Sequence, residues 1–180
     1  MIIVFGGFSG SGKSYTARNL SKKFNIPYLN SDKVRKELAN ITLTQKVFEN
    51  FGEGLYSKKF TLKTYNELIK KAKQLLKFHD NVIIDATFTD KAMQQLIISN
   101  FNNNYIFIYC FADDNIVKKR LEERLLHKNS ISDGRWEIYL KQKENFQGLI
   151  FPENKIIKIN TGNENYFNEL ICKLREHVKI

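Results

Sequence analysis

Met1-Ile2-Ile3-Val4-Phe5-Gly6-Gly7-Phe8-Ser9-Gly10-Ser11-Gly12-Lys13-Ser14 opens the chain, and its reading decides the fold. Met1–Phe5 is a continuous apolar run stopped by two glycines, the mark of a strand buried on both faces. Ser14–Phe24 follows with helical spacing, Ala17, Leu20 and Phe24 sharing a face. Between strand and helix, Gly7–Ser14 satisfies G-x-x-x-x-G-K-[ST] without a departure. Glycines let successive N–H groups turn inward as an anion nest, and the helix that follows points its positive end at the same spot. Lys13 is a mobile charge for the β- and γ-phosphates, and the Ser14 hydroxyl is a ligand for Mg²⁺. The expected ligand is ATP·Mg²⁺, held by Gly7, Phe8, Ser9, Gly10, Ser11, Gly12, Lys13 and Ser14, with Tyr15 beside them.

Outward from this cradle, strand and helix alternate. Pro27–Asn30 reads as a short second strand, with Ser31 or Asp32 capping a helix over Asp32–Leu38. Thr61–Phe78 reads as a long amphipathic helix, Val82–Ile84 as a strand and Lys91–Ser99 as a helix. Tyr105–Phe111 is a further buried strand. Asp113 or Asp114 starts a helix to about His127, Asn129–Gly134 breaks it, and Arg135–Phe146 is helical again. Lys155–Asn160 is the last strand and Tyr166–Val178 the last helix. Five apolar strands separated by helices predict a parallel sheet in a three-layer α/β/α P-loop fold. The chain reads as one domain over residues 1–180, with a helical insert at about 39–79 and a helical lid at about 115–146.

Ligands of such sheets bind at the C-terminal ends of the strands, so residues just after strands matter most. Val82-Ile83-Ile84-Asp85 ends in an acid placed to hold Mg²⁺ with Ser14; the plainer reading is a turn or capping Asp. Asp32 follows the second strand, placed to orient an acceptor hydroxyl and take its proton; it also reads as an N-cap. Arg35, at i+3 on the same helix, reads as a ligand for an acceptor phosphate, as a group that steers Asp32, or as a solvated charge. Only 6 of the 29 basic residues are Arg. Arg120 and Arg124 therefore stand out, at i, i+4 beside the Lys128–Gly134 loop, as a phosphate-clamping lid. The alternative is a solvated helix paired through Glu122 and Glu123. Arg120 is also read as a nucleotide contact, and Asn160–Asn163 as an adenine-side loop by position.

Composition narrows the classes. With 42% hydrophobic and 13% aromatic residues, disorder is excluded. No stretch approaches the ~20 apolar residues of a membrane span, so the chain is expected to be cytoplasmic with no membrane partner. Cys110 and Cys172 read as small core residues. The three histidines occupy no motif and read as surface residues. Trp136 and Tyr139 read as lid packing or as base-stacking groups, and Lys58-Lys59 and Lys70-Lys71 as solvated faces. A net charge of +10 points to an anionic partner or to a general lysine bias.

These residues resemble a known group. Gly7–Ser14, Asn30–Lys36, Val82–Phe88 and Arg120-Leu121-Glu122-Glu123-Arg124 look like those of the P-loop kinase-like AAA proteins that group with polynucleotide 5′-hydroxyl kinases, gluconate-type kinases and zeta-toxin kinases. Tyr56-Ser57, Tyr65 to Ala72 and Ser132-Asp133-Gly134 to Tyr139 look most like a stand-alone form of the kinase domain often fused to an aminoglycoside-phosphotransferase-like partner. Lys91–Met93 departs from the pattern, since related sequences often carry an Arg there. The resemblance implies a general base at Asp32, an acceptor-phosphate ligand at Arg35 and lid arginines at Arg120 and Arg124. The expected activity is an ATP-dependent phosphotransferase acting on a hydroxyl. The acceptor is either a nucleic acid 5′ end or a small molecule (nucleoside, sugar or sugar nucleotide). A nucleotide-dependent ATPase or switch is the alternative. ATP against GTP and the oligomeric state stay open.

Overall fold

The computed structural model describes residues 1–43, 45, 47, 52–126 and 134–180. Five parallel strands stand in the order β2-β3-β1-β4-β5: β1 Ile2–Gly6, β2 Tyr28–Asn30, β3 Val82–Asp85, β4 Tyr105–Phe111 and β5 Ile156–Asn160. β1 is central, with Phe5 beside Asp85 of β3 and Gly6 beside Tyr109 of β4. The helices are α1 Lys13–Phe24, α2 Ser31–Leu38, α3 Lys58–Leu75, α4 Lys91–Phe101, α5 Asp114–Leu126, α6 Trp136–Glu144 and α7 Tyr166–Arg175.

The pleat explains why the strands read as unbroken apolar runs. Ile2, Val4, Val82, Ile84, Tyr105 and Phe107 join one core with Tyr65, Ile69, Met93 and Ile97 from α3 and α4. Their neighbours Ile3, Phe5, Ile83, Ile106 and Ile108 join a second core with Ala17, Leu20, Leu170 and Leu174 from α1 and α7. Alternate residues thus serve opposite faces, and both faces are covered. The α/β/α architecture is as the sequence predicts.

Element ends differ where capping decides them. α3 starts at Lys58, not Thr61, because the Ser57 side chain accepts from Phe60 N–H. α2 is capped by neither Ser31 nor Asp32: the Asn30 side chain accepts from Lys33 N–H, which leaves the Asp32 carboxylate outside the cap. β3 extends to Asp85. Cys110 is buried as expected, but Cys172 is exposed. α7 turns Leu170, Ile171 and Leu174 inward, and residue 172 falls on the opposite arc. His79 and His177 are exposed; His127 and residues 128–133 of the Lys128–Gly134 loop lie outside the described residues.

Close packing reaches the edge of the site. A methyl group on Gly6 would sit 2.2 Å from Cζ of Phe107, a ring held between Phe88 and Phe151 at centroid distances of 5.8 and 4.2 Å. Gly6→Ala is expected to lower stability by about 1–3 kcal/mol through overpacking, read as a lower urea midpoint with an unchanged slope.

Candidate active site

The cradle is built at the end of β1. Gly12 takes φ +84° as N-cap of α1 and offers no side chain to the first-turn N–H groups, so these remain available to an anion. Gly10 takes φ +79° and packs so tightly that a Cβ would lie 2.7 Å from Val117 Cγ1 on α5. Gly7 N–H donates to the Thr87 carbonyl (3.1 Å), which joins the loop to the segment after β3. Phe8 is edge-on to Tyr139 and Phe146 at 5.8 and 5.2 Å. Ser9 N–H donates to Gln142 Oε1 at 2.8 Å. The side-chain oxygen of buried Ser11 has no partner among the described residues, and Tyr15 is 61% exposed.

Lys13 donates to the Phe8 carbonyl at 3.3 Å. Burial pulls its amine below the ordinary lysine value, opposed by the carboxylates of Asp85 and Asp32 and reinforced by Arg124. Burial likewise lowers Arg124, opposed first by Asp32, with Arg18, Asp85 and Arg120 also within reach. Residues of α1, α2, β3 and α5 therefore share one electrostatic neighbourhood. Lys13, Arg18, Arg35, Arg120 and Arg124 bring five cations to two carboxylates there, an excess suited to a polyanionic phosphate chain.

Asp85 is fully buried in the sheet. Its Oδ2 accepts from the Tyr28 hydroxyl at 2.5 Å and from Asn30 Nδ2 at 2.7 Å. Its Oδ1 has no partner among the described residues. A buried carboxylate oxygen left unpaired is costly, and it fits a divalent cation or its water shell, with the Ser14 hydroxyl as the second protein oxygen. Next to Asp85 the backbone is strained: Phe88 takes φ +53°. Its N–H donates to the Tyr65 hydroxyl at 3.2 Å, which holds the turn in place.

On the acceptor side, Arg35 Nη1 donates to Asp32 Oδ1 at 3.0 Å. The Arg35 guanidinium stacks over the Tyr56 ring at 4.8 Å. Arg35 is 6% exposed, and its Nε has no partner among the described residues. Asp32 remains partly open to solvent.

The two arginines expected in the lid, Arg120 and Arg124, differ in their surroundings. Arg120 donates to the Thr161 carbonyl at 2.8 Å, to Thr161 Oγ1 at 2.9 Å and to the Gly10 carbonyl at 3.4 Å. Thr161 Oγ1 also lies 2.8 Å from the Ser11 carbonyl, to which it donates. Arg120 thereby ties the cradle to the loop after β5. Trp136 and Tyr139 pack on each other at 5.0 Å, and the Tyr139 hydroxyl donates to Asp114.

Sequence reasoning gave no role to Tyr28, Asn30 and Gln142, which build this site, and placed a fourth, Thr161, only within the adenine-side loop Asn160–Asn163. Tyr28 opens and Asn30 closes the three-residue β2, and the place of Asn30 at the strand end was its signal. Thr161 has a weaker one, lying just after the last strand. Gln142 has none: it reaches Ser9 across 133 residues.

A family model described as an AAA domain matches residues 2–149. The chain belongs to this AAA domain family, in its P-loop kinase-like form. An uncharacterized protein of Mycobacterium tuberculosis (strain ATCC 25618 / H37Rv) is 25% identical over 126 residues, which is 68% of this chain and 25% of that protein. The chain thus spans about a quarter of the length of these mycobacterial relatives. A gluconokinase structure from Sinorhizobium meliloti 1021 superposes with a TM-score of 0.67 at 14% identity, over 97% of this chain and 91% of that one. A shikimate kinase structure from Aquifex aeolicus does so with 0.62 at 19% identity, over 98% and 97%. At these identities the structures establish the fold. Among the described residues no helix is long and apolar enough to cross a membrane.

Two outcomes follow from this geometry. Asn30→Ala removes both a helix cap and a donor to buried Asp85, and is expected to cost about 2 kcal/mol or more, read by urea unfolding. Because burial lowers the Lys13 amine, its charge is lost below the ordinary value of 10.5 as pH rises. Nucleotide affinity should therefore fall on the alkaline side, and Lys13→Arg, which keeps its charge, should flatten that fall.

Proposed function

We propose that the protein is an ATP·Mg²⁺-dependent phosphotransferase that moves the γ-phosphoryl group to a hydroxyl of an acceptor bearing an anionic group. The observation that carries this reading is the convergence of Lys13, Asp85, Asp32 and Arg124 from four separate elements. A site that only held nucleotide would have no use for a half-open carboxylate facing the phosphate cradle.

The roles follow from charge and position. The N–H groups at the start of α1, with those of the cradle not already given to Thr87, Gln142 and Phe8, hold the phosphates. Lys13 neutralises the β- and γ-oxygens, and Arg124 does so from the lid side. Ser14 and Asp85 Oδ1 would hold Mg²⁺ or its water shell, and the ion would offset charge on the phosphate oxygens. Asp32 orients the acceptor hydroxyl and takes its proton. Arg35, stacked on Tyr56 with Nε unpartnered among the described residues, binds the acceptor's anionic group while holding Asp32. Arg120 braces the cradle and borders the adenine side through Thr161. α5 and α6, which pack on the cradle at Gly10, Phe8 and Ser9, form the lid side of the nucleotide site.

The names of the two structural neighbours, a gluconokinase and a shikimate kinase, favour a small acceptor. The +10 net charge favours a second reading, a polynucleotide 5′-hydroxyl, whose adjoining phosphate also suits Arg35.

Label from γ-labelled ATP·Mg²⁺ should pass to at least one member of a panel of sugars, hydroxy acids, nucleosides, nucleotides and 5′-hydroxyl oligonucleotides. Asp32→Asn should reduce transfer by about 10²–10⁴-fold while ATP binding persists. Phosphate released to water equally by both proteins, with no labelled acceptor, would overturn the assignment in favour of an ATPase or switch.

A further inference from the structure

The long helix α3 carries a charge pattern that the phosphate site does not use. Residues 58–77 hold seven lysines (58, 59, 63, 70, 71, 73 and 77) and one acid, Glu67. At 100° per residue, Lys59, Lys63, Lys70 and Lys73 fall within an arc of about 80°, and Lys77 continues it in the turn just past the helix end. All five are exposed, and the remaining position on that arc, Asn66, is exposed and neutral. The opposite face, with Thr64, Tyr65, Leu68, Ile69 and Ala72, is buried.

Two shallow grooves adjoin along this stripe. One is lined by Lys59, Lys63, Asn66 and Lys70, and the next by Asn66, Lys70, Lys73, Lys77 and Asn100. Neutralisation along it is slight. Lys70 lies 3.5 Å from Glu67, an exposed pair worth little in water. Lys73 donates to the neutral Asn100. Lys71, off the stripe, takes Glu37.

We infer that the exposed face of α3 is a docking surface for the sugar-phosphate backbone of a nucleic acid. Charge complementarity selects the partner. Five cations in line over about 27 Å match a linear array of phosphates, whereas scattered lysines would serve solubility alone. A membrane surface is disfavoured because the apolar face of α3 is committed to the core and cannot insert. The stripe begins two residues after the Ser57 cap and three after Tyr56, whose ring carries Arg35. It then runs away from the acceptor side toward the far end of the sheet. The inference does not depend on which acceptor the site phosphorylates.

Lysine-to-phosphate contacts release counterions, so affinity falls with salt by a slope of about −0.7 per contact for a single strand. The test measures anisotropy of a fluorescent single-stranded oligonucleotide across a salt series. It uses the intact wild-type chain, a variant with Lys59, Lys63, Lys70, Lys73 and Lys77 all changed to Gln, and a control with Lys91, Lys141, Lys158, Lys173 and Lys179 all changed to Gln. Both variants carry the same net charge, and circular dichroism with ATP binding checks their folding. The stripe variant should lose about 3.5 from the magnitude of the log–log slope, with the control keeping most of it. Equal weakening in both variants, no salt-dependent binding by the wild type, or a preference for anionic vesicles over the oligonucleotide would overturn the inference.

Discussion

A carboxylate buried at the C-terminal end of an inner strand of a parallel sheet is the constraint on which this site rests. Burying a charge costs several kcal/mol unless its oxygens are satisfied. Asp85 has one oxygen satisfied twice, by Tyr28 and Asn30, and the other unpaired among the described residues. That asymmetry fixes the rotamer and gives the free oxygen a single direction in which to find a partner. Asn30 spends its other side-chain atom capping α2, the helix that presents Asp32 and Arg35. One asparagine thus couples the cation-binding acid to the acceptor-side helix, and the second and third strands cannot shift without disturbing both.

The cradle is braced in the same way from the other side. Gly10 packs on α5 and Ser9 is held by Gln142. Arg120 clasps Thr161, which reaches the Ser11 carbonyl. A loop with three glycines at positive φ loses much conformational freedom on folding, and these contacts keep its N–H groups aimed without a bound anion. Such preorganisation is what lets a phosphate site stabilise charge without reorganising during transfer.

The order of elements and the cradle were legible in the sequence because each has a local cause. β1, β3 and β4 are unbroken apolar runs since both faces of the sheet are covered, and G-x-x-x-x-G-K-[ST] is a backbone requirement written in residue types. Asp85, Asp32 and Arg124 were legible by position after strands or spacing on a helix. What escaped was set by tertiary packing. Whether Asn30, Ser31 or Asp32 caps α2 depends on side-chain direction, not on residue class. Cys172 was misplaced because its residue type reads as core, while the helical period puts it on the arc opposite Leu170, Ile171 and Leu174. Gln142 carries no sequence signal, as its partner is a backbone N–H 133 residues away.

The account's central claim is that donor and acceptor groups converge on one transferring phosphoryl group. It is tested most directly by a crystal structure with Mg²⁺, ADP and aluminium fluoride, a planar mimic of that group. The account predicts the fluoride bound between Lys13 and Arg124, the cation at Ser14 and Asp85 Oδ1, and Asp32 within hydrogen-bonding reach of the open apical position. A fluoride bound at the cradle with Asp32 still locked on Arg35 and turned away from that position would contradict it.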